Sequence, residues 1–198
     1  MTSDPLLVVI AALARSGRDS SDYDLNPDLV IPDGPPLRAA GVLVPFLDTS
    51  EGVRVILTKR ASHLKHHPGQ IAFPGGKVDP DDAGPVAAAL REAHEEVGLD
   101  PANVEVLGTL PPHHTVTGFL ATPVLGRVRH PFTLRPEAGE VDEVFSVPLA
   151  FLTNRANFRI EQRLWRGQMR HYYAVPYGPY YIWGATARIL RALADRMA

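Results

Sequence analysis

Short apolar runs rich in β-branched residues recur along the chain and predict strands. The runs at 39–47 and 53–60 are separated by the more polar residues 48–52, which is the pattern of a β-hairpin. Similar runs predict further strands at 70–73, 104–110, 119–128, 158–165 and 168–175. We therefore expect a sheet built mainly from these segments.

Three other segments show the pattern of helices. Residues 84–97 place their apolar side chains on one stripe, and residues 183–197 combine alanine, leucine and arginine at helical spacing. The apolar run 5–14 follows an acidic N-terminus and is too short to span a bilayer, so we interpret it as a packed helix rather than a signal segment. Strands mixed with a few helices predict α/β layers around a mixed sheet.

Composition and charge narrow the function classes. A chain of 198 residues, 45% of them hydrophobic, fits one catalytic domain with additions, and we expect a helix with an irregular lead-in at 1–36 and a single domain at 37–198. The net charge of −2 gives no global field for a nucleic-acid backbone. The lack of cysteine excludes disulfides and thiolate sites. We expect a cytoplasmic protein with neither a nucleic-acid nor a membrane partner, and its oligomeric state stays open.

The predicted helix at 84–97 carries the first chemical signal. Its two faces differ: an apolar stripe of Val86, Leu90, Ala93 and Val97, and an acidic group of Glu92, Glu95 and Glu96. Acids near the C-terminal end of a helix are unfavourable, and Arg91, four residues before Glu95, can balance only part of their charge. Mg²⁺ prefers carboxylate oxygens, so we interpret the group as a divalent-metal site, against the alternative of a solvated acidic face.

A glycine pair, Gly75-Gly76, precedes this helix. Glycines between a strand and a helix let the main chain approach a phosphate or a metal, although such pairs also make ordinary tight turns. Glu92 follows Gly76 by 16 residues, and Gly98 is the expected C-terminal cap of the helix. The glycine pair, the glutamates and Gly98 at this spacing are together stronger evidence for a phosphate or metal site than any one of them alone.

These residues resemble the box of the Nudix hydrolases, which reads G, five residues, E, seven residues, R-E-aliphatic-x-E-E-x-G-aliphatic. Residues 91–99, REAHEEVGL, match its second half at every defined position. The first half differs, because the box expects glycine and glutamate where this chain has Lys77 and Ala83. Gly76 lies one residue early, and Asp82 is the acid nearest to the missing glutamate.

The preceding stretch resembles one branch of that family, the coenzyme A pyrophosphatases. Residues 57–76, LTKRASHLKHHPGQIAFPGG, match the signature L-T-x-R-[SA], three residues, R, three residues, G, three residues, F-P-G-G, except that Lys65 replaces the second arginine. Independently of any family, this stretch holds a cluster of cations that would suit substrate phosphates, with a basic surface loop as the alternative. Its members are Lys59, Arg60, His63, Lys65, His66 and His67.

The resemblance implies a Nudix-type α/β/α sandwich around a mixed β-sheet, and hydrolysis of a small nucleoside diphosphate linked to another group. The branch implies coenzyme A or acyl-coenzyme A as the substrate, with 3′,5′-ADP and (acyl-)4′-phosphopantetheine as products. ADP-ribose, NADH or an oxidised nucleoside triphosphate is the alternative substrate. A catalytically silent, nucleotide-sensing domain is an alternative of another class.

The resemblance also implies roles for individual residues. Mg²⁺ or Mn²⁺ would be held by Gly76, Glu92, Glu95 and Glu96. Catalytic roles would fall to Glu95, to Arg91, which would orient a glutamate, and to Glu140, which looks like the distal glutamate that several members bring over the metals. Ordinary loop acidity is the alternative for Glu140. Substrate binding would fall to Arg60, Lys65, His66, His67 and Gly69, and His113 and His114 lie in a predicted loop that could border the pocket.

Overall fold

The computed structural model describes residues 4–29, 35–165 and 167–198, so residues 30–34 of the predicted lead-in lie outside the described residues. The helices are α1 (Leu7–Ala14), α2 (Pro85–Val97), α3 (Leu149–Leu152) and α4 (Ala185–Met197). The main sheet contains β1 (Ser20–Ser21), β2 (Arg38–Thr49), β3 (Gly52–Arg60), β4 (Ile71–Ala72), β5 (Gly75–Lys77), β6 (Val104–Thr109), β7 (His113–His114), β8 (Phe119–Val128) and β9 (Val141–Pro148). A second sheet contains β10 (Arg159–Trp165), β11 (Gln168–Tyr177) and β12 (Tyr180–Trp183).

The main sheet is mixed. Strands follow one another in the order β1-β7-β8-β2-β3-β4, with β5 paired to β2, β6 to β8 and β9 to β3. Strands β2 and β8 run parallel, whereas β2 and β3 form an antiparallel hairpin that closes between Thr49 and Gly52. The hairpin predicted from the two β-branched runs is therefore confirmed. The second sheet is an antiparallel meander in the order β10-β11-β12.

Two apolar layers cover the two faces of the main sheet. On one face, α2 contributes Ala89, Ala93 and Val97 to a core shared with Leu43 and Ile56. On the other face, α1 and α4 pack over a larger core that is centred on residues of β2 and β3 and of the second sheet; it includes Val9, Val44, Phe46, Leu57, Val175, Ile182 and Leu190. Helices on both faces of a mixed sheet give the predicted α/β/α sandwich.

Five strands were not predicted, namely the short strands β1, β5 and β7 and the strands β9 and β12, and one helix starts later than predicted. Strand β9 carries Asp142 and Glu143 within an apolar run, and these acids obscure the alternation that would have identified it. Strand β12 takes Trp183, which we assigned to the final helix. Gly184 follows with a φ of 65°, so α4 begins only at Ala185.

The N-terminal segment is tied to both sheets. Helix α1 buries Val9 and Ala12 as expected of a packed helix, and Ser20–Ser21 adds a short parallel strand beside β7. Asn26 accepts a hydrogen bond from the backbone N–H of His171 at 2.7 Å and donates one to the carbonyl of the same residue at 2.9 Å. No helix among the described residues has the length and apolar character needed to cross a membrane.

Candidate active site

Helix α2 lies unusually close to the central strand β2, and a glycine makes this possible. A Cβ atom at Gly41 would fall 1.8 Å from the carbonyl oxygen of Pro85, in the first turn of α2. Gly41 pairs with Gly76 in the sheet, so strand, glycine turn and helix meet at one point. Sequence reasoning missed Gly41, although a glycine inside an otherwise β-branched run is a recognised signal of close backbone approach.

The glycine pair forms the wall that faces the glutamates. Gly75 has a φ of 156°, and a Cβ there would fall 2.4 Å from the carbonyl oxygen of Gly41. A Cβ on Gly76 would fall 2.3 Å from Oε1 of Glu92. The backbone N–H of Gly75 donates a hydrogen bond to Oε2 of Glu96 at 3.2 Å. Two glutamate side chains thus lie directly against the glycine turn, where a side chain at Gly75 would meet the backbone of β2 and one at Gly76 would have to displace the Glu92 carboxylate.

The three glutamates of α2 differ in exposure, which argues against the alternative of a solvated acidic face. Glu96 is only 5% exposed, Glu92 is half-buried, and Glu95 alone projects into solvent. The reason is that Glu96 and Glu92 lie against the glycine turn, Glu96 in a hydrogen bond from the N–H of Gly75 and Glu92 beside Gly76. Helical periodicity places a side chain around the axis but does not show what covers it.

Burial changes the proton affinity of the enclosed acids. It raises the pKa of Glu96 to about 8, and the neighbouring charges of Glu92 and Glu140 add to the effect, while the Gly75 N–H and Arg60 oppose it. Burial also raises the pKa of Glu92, against the opposing hydrogen bond from Arg91. A cation placed beside these carboxylates would stabilise their charged forms.

Arg91 is the hub of the acidic cluster. Its guanidinium pairs with Asp82 at 2.9 Å, with Glu92 at 3.0 Å and with Glu95 at 3.1 Å, and it donates to the carbonyl of Lys77 at 3.2 Å. The pair with Glu95 is the i,i+4 contact that the sequence predicts. Hydrogen bonding to Asp82 raises the pKa of Arg91, and the same bond lowers the pKa of Asp82. Asp82 thereby anchors the arginine that holds two of the glutamates.

The C-terminal end of α2 is closed by backbone groups. Gly98 adopts the left-handed conformation, as expected of a cap, and its N–H donates to the carbonyls of the last turn. The N–H groups of Arg135 and Glu137 donate to the carbonyls of Val97 and Glu96, both at 3.0 Å. The loop after β8 is therefore fastened to the helix end.

That fastened loop carries Glu140 to the site. The carbonyl of Glu140 accepts a hydrogen bond from the N–H of Ala61 at 2.8 Å, and Asp142 accepts two from Ser62. The side chain of Glu140 lies near enough to raise the pKa of both Glu92 and Glu96. The structure thus joins three parts of the chain: the acidic helix, the distal loop and the segment after β3.

The segment after β3 carries the predicted substrate-binding cations. It turns back on itself, because Gly69, with a φ of 68°, donates its N–H to the carbonyl of Arg60 at 3.0 Å. Arg60 lies near enough to Glu96 to lower the pKa of that acid. Lys65, His66 and His67 are exposed on the same turn, and His67 adopts a positive φ of 54°. We call Arg60, Lys65, His66 and His67 the cationic rim; Arg60 lies beside the acidic cluster, and the other three follow it along the chain.

The comparison with known proteins decides the family. The NUDIX domain model matches residues 36–165, a range that includes the glycine turn, α2 and Glu140. The chain is 45% identical over 157 residues to a protein from Enterobacter sp. (strain 638) named "Uncharacterized Nudix hydrolase NudL", a match covering 79% of this chain and 81% of that one. The chain belongs to the Nudix family.

Other relatives agree with this assignment. A protein of the same name from Escherichia coli (strain SMS-3-5 / SECEC) is 43% identical over 157 residues, again with 79% of this chain and 81% of that one covered. Among solved structures, the Nudix hydrolase RenU from M. smegmatis is similar, with a TM-score of 0.50 and 25% identity over 59% of this chain and 74% of that one. We conclude that this chain is a Nudix hydrolase that acts on nucleoside diphosphate derivatives.

Nudix hydrolases generally use divalent metal ions, and the donor chemistry of this site fits such ions. Glu92 and Glu96 offer hard carboxylate oxygens beside a glycine turn that leaves the backbone open. Their raised pKa values show that burial leaves the charged forms short of positive partners. Nevertheless, no three His, Cys, Asp or Glu side chains within the described ranges surround one common ion position. The ion pair with Arg91 holds Glu95 on the solvent side of the cluster.

One further expectation needs correction. His113, expected to border the pocket, is fully buried in β7, where its ring contacts Ser20 at 2.9 Å and Asp22 at 3.3 Å. Its Pro-Pro neighbour suggested a loop, but the parallel pairing with β1 draws it inside. Glu143, three residues after the predicted distal glutamate Glu140, accepts a hydrogen bond from Tyr180 at 2.5 Å.

Proposed function

We propose that this Nudix hydrolase cleaves the diphosphate of coenzyme A or acyl-coenzyme A, giving 3′,5′-ADP and (acyl-)4′-phosphopantetheine, with Mg²⁺ or Mn²⁺ as cofactor. The observation that carries the proposal is the position of residues 57–76. This stretch resembles the signature of the coenzyme A branch, and it runs from β3 through the cationic turn to the glycine pair beside Glu92 and Glu96. The cations and the glutamates would then share one site.

The cationic rim supports a substrate with several phosphates. Arg60 would contact the phosphate nearest the acidic cluster, because its charge is already felt at Glu96. Lys65, His66 and His67, exposed further along the turn, would reach a phosphate that lies away from the cleaved bond. Gly69 closes the turn and fixes the spacing of these side chains. Coenzyme A carries such a separate phosphate on its ribose, whereas ADP-ribose and NADH do not.

The acidic cluster would bind the metal ions that act on the diphosphate bond to be cleaved. Glu92, Glu96 and the backbone of Gly76 would hold the metal ions, and Glu95 would join them when its side chain leaves Arg91. A bound divalent ion would neutralise the diphosphate and lower the pKa of an attacking water. Arg91, anchored by Asp82, would keep Glu92 and Glu95 in position without touching the substrate.

The general base would come from one of two glutamates. Glu140 is exposed on a loop whose backbone is fastened both to α2 and to Ala61, so its side chain can accept a proton from water above the cluster. Glu95 is the alternative, and it is engaged with Arg91 in this structure. We assign the role to Glu140, because it is free of ion pairs among the described residues.

A product assay tests the proposal. The purified protein with Mg²⁺ or Mn²⁺ is incubated with coenzyme A, ADP-ribose, NADH and dinucleoside polyphosphates, and the products are separated by HPLC. We expect 3′,5′-ADP from coenzyme A as the preferred reaction, lost with EDTA and in Glu96→Gln, but kept in Glu51→Gln, which alters an exposed hairpin turn. Preferential turnover of ADP-ribose would contradict the proposed substrate.

The same assay addresses the silent, nucleotide-sensing alternative. All three glutamates of the second half of the box are present, and the missing glutamate of the first half is the one observation in favour of silence. Asp82 pairs with Arg91, so the arginine still has a carboxylate partner next to Ala83. Nucleotide binding without any turnover across the panel would favour the sensor.

A further inference from the structure

The outer edge of strand β10 exposes backbone groups that no other described strand uses. Strand β10 pairs with β11 on one side, and within the described part of the chain it has no second partner. An open strand edge is a template for another strand unless charges, prolines or bulges block it. Strand β10 has seven residues, RIEQRLW; it contains no proline, and its three charged residues, Arg159, Glu161 and Arg163, are of both signs.

The position of Asn26 shows which backbone groups of β10 point outward. Asn26 bonds both the N–H and the carbonyl of His171, so neither group is directed toward β10. His171 is opposite Gln162, and this pair is therefore a non-hydrogen-bonded pair of the antiparallel ladder. The N–H and carbonyl of Gln162 consequently point away from β11, and the two-residue period extends this direction to Ile160 and Leu164.

The same strand exposes an apolar surface. Ile160 is 57% exposed and Leu164 is 68% exposed, and Met169, opposite Leu164 on β11, is 48% exposed. Alternation along the strand puts these three side chains on one face of the second sheet. Single exposed apolar residues are ordinary, but these three are neighbours beside an open strand edge, which is typical of an interaction surface.

We propose that β10 pairs antiparallel with β10 of a second copy of this chain, about a two-fold axis at Gln162, to form a homodimer with a continuous six-stranded sheet. In this register Gln162 faces itself, and Ile160 faces Leu164 of the partner. Ile160, Gln162 and Leu164 all carry the outward N–H and carbonyl groups that hydrogen-bonded pairs require. An interface of this kind is isologous, so every contact occurs twice.

Charge complementarity identifies a second copy as the partner. The two-fold register places Glu161 opposite Arg163 of the partner, and Arg163 opposite Glu161 of the partner, on the face away from the apolar residues. Within one chain, Arg163 is directly opposite Arg170, which is a like-charge pair, and no described salt bridge involves Glu161 or Arg163. The dimer would therefore supply each of these charges with the opposite charge it lacks.

Sedimentation velocity on the full chain tests whether dimerisation requires the backbone N–H of Gln162. We expect a dimer for the wild type and a monomer for Gln162→Pro, because proline removes the outward N–H without touching the ladder to β11. Gln162→Ala keeps the N–H and should remain a dimer. A monomeric wild type at high concentration, or a dimeric Gln162→Pro with native circular dichroism, would overturn the proposal.

A charge-swap series tests the register and remains informative if Gln162→Pro does not fold. Glu161→Arg and Arg163→Glu each create two like-charge pairs across the axis and should weaken dimerisation by about tenfold or more. The double variant restores opposite charges in the reverse order and should regain the wild-type dissociation constant. Glu51→Arg, with the same charge change on a distant turn, should have no effect. Equal dissociation constants for both single variants and the wild type would overturn the register.

Discussion

The backbone N–H of Gly75 donates a hydrogen bond to Oε2 of Glu96, and this contact holds a buried carboxylate against the glycine turn. One hydrogen bond does not compensate a carboxylate for the loss of water, and the pKa of Glu96 accordingly stays raised. The metal-free protein therefore contains an acid that is destabilised in its charged form. A divalent cation would relieve this, which links metal binding to stability.

Stability against pH should reveal this acid. Folding raises the pKa of Glu96 from 4.5 to about 8, so the folded chain holds a proton that the unfolded chain releases. The associated stability is fully present below pH 4.5 and is lost as the pH rises to about 8. In EDTA, Glu96→Gln should remove this loss and raise the free energy of unfolding at pH 9 by on the order of a few kcal/mol. Denaturant unfolding at a series of pH values measures it.

Glu105→Gln is the matched control for this experiment, because Glu105 lies half-exposed in β6, away from the acidic cluster. It should keep the pH dependence of the wild type. Parallel stability curves for the wild type and Glu96→Gln would show that Glu96 is not the source of the pH dependence.

Asp82 should affect both catalysis and stability, because it holds Arg91 in place. Asp82→Asn keeps the size of the side chain but removes the charge that pairs with the guanidinium at 2.9 Å, so Glu92 and Glu95 lose their fixed neighbour. We expect a lower kcat with a smaller change in KM, and a lower melting temperature at neutral pH. Because the pKa of Asp82 is lowered in the folded state, the difference in stability should shrink as the pH falls below 3.8.

Asp81→Asn provides the comparison, because Asp81 is exposed and adjacent in sequence. It should leave kcat unchanged. Similar losses of kcat in both variants would show that kcat depends on the negative charge of the loop rather than on the Asp82–Arg91 pair.

The close approach of Gly76 to Glu92 predicts a non-additive pair of substitutions. Gly76→Ala should destabilise the protein by about 1–3 kcal/mol, because the new methyl group would overlap the Glu92 carboxylate. In a Glu92→Ala background this overlap disappears, and the same substitution should cost less than half as much. A double-mutant cycle by chemical denaturation gives the coupling. Additive effects would mean that the overlap is relieved by movement elsewhere.

The cationic rim should discriminate between substrates. Lys65→Ala should raise KM for coenzyme A more than KM for 3′-dephospho-coenzyme A, because it would remove a charge that faces the additional phosphate. Arg129→Ala removes an exposed arginine outside the turn and should change neither value. Steady-state kinetics on both substrates decides this, and equal increases in the two KM values would remove the 3′-phosphate from the proposal.

Much of the fold was predictable because local patterns determine it. The strand at Phe119–Val128 and the hairpin of β2 and β3 match their predicted runs closely, since β-branched residues and a polar turn encode both. Strand β5 escaped prediction, because its sequence is Gly-Gly-Lys and its pairing is dictated by contact with Gly41 across the sheet. Such pairing depends on distant residues and leaves no local trace.

The candidate active site was likewise predictable only where its contacts are local in sequence. The spacing of Arg91 and Glu95 predicts their ion pair, and the structure contains it. The position of Glu96, in contrast, depends on residues distant along the chain: Gly75 donates its N–H to the side chain, and Glu137 donates its N–H to the backbone carbonyl. His113 is likewise enclosed by a lead-in segment ninety-three residues before it, in the contact with Ser20. Tertiary covering of this kind is not contained in helical or strand periodicity.

Calorimetric titration of Mn²⁺ and Mg²⁺ into the purified protein, with and without a non-cleaved nucleotide, tests the central claim most directly. If Glu92 and Glu96 form a divalent-metal site, the wild type will bind the ions and Glu92→Gln and Glu96→Gln will bind them at least about tenfold more weakly. Absence of ion uptake by the wild type in both conditions would contradict the account.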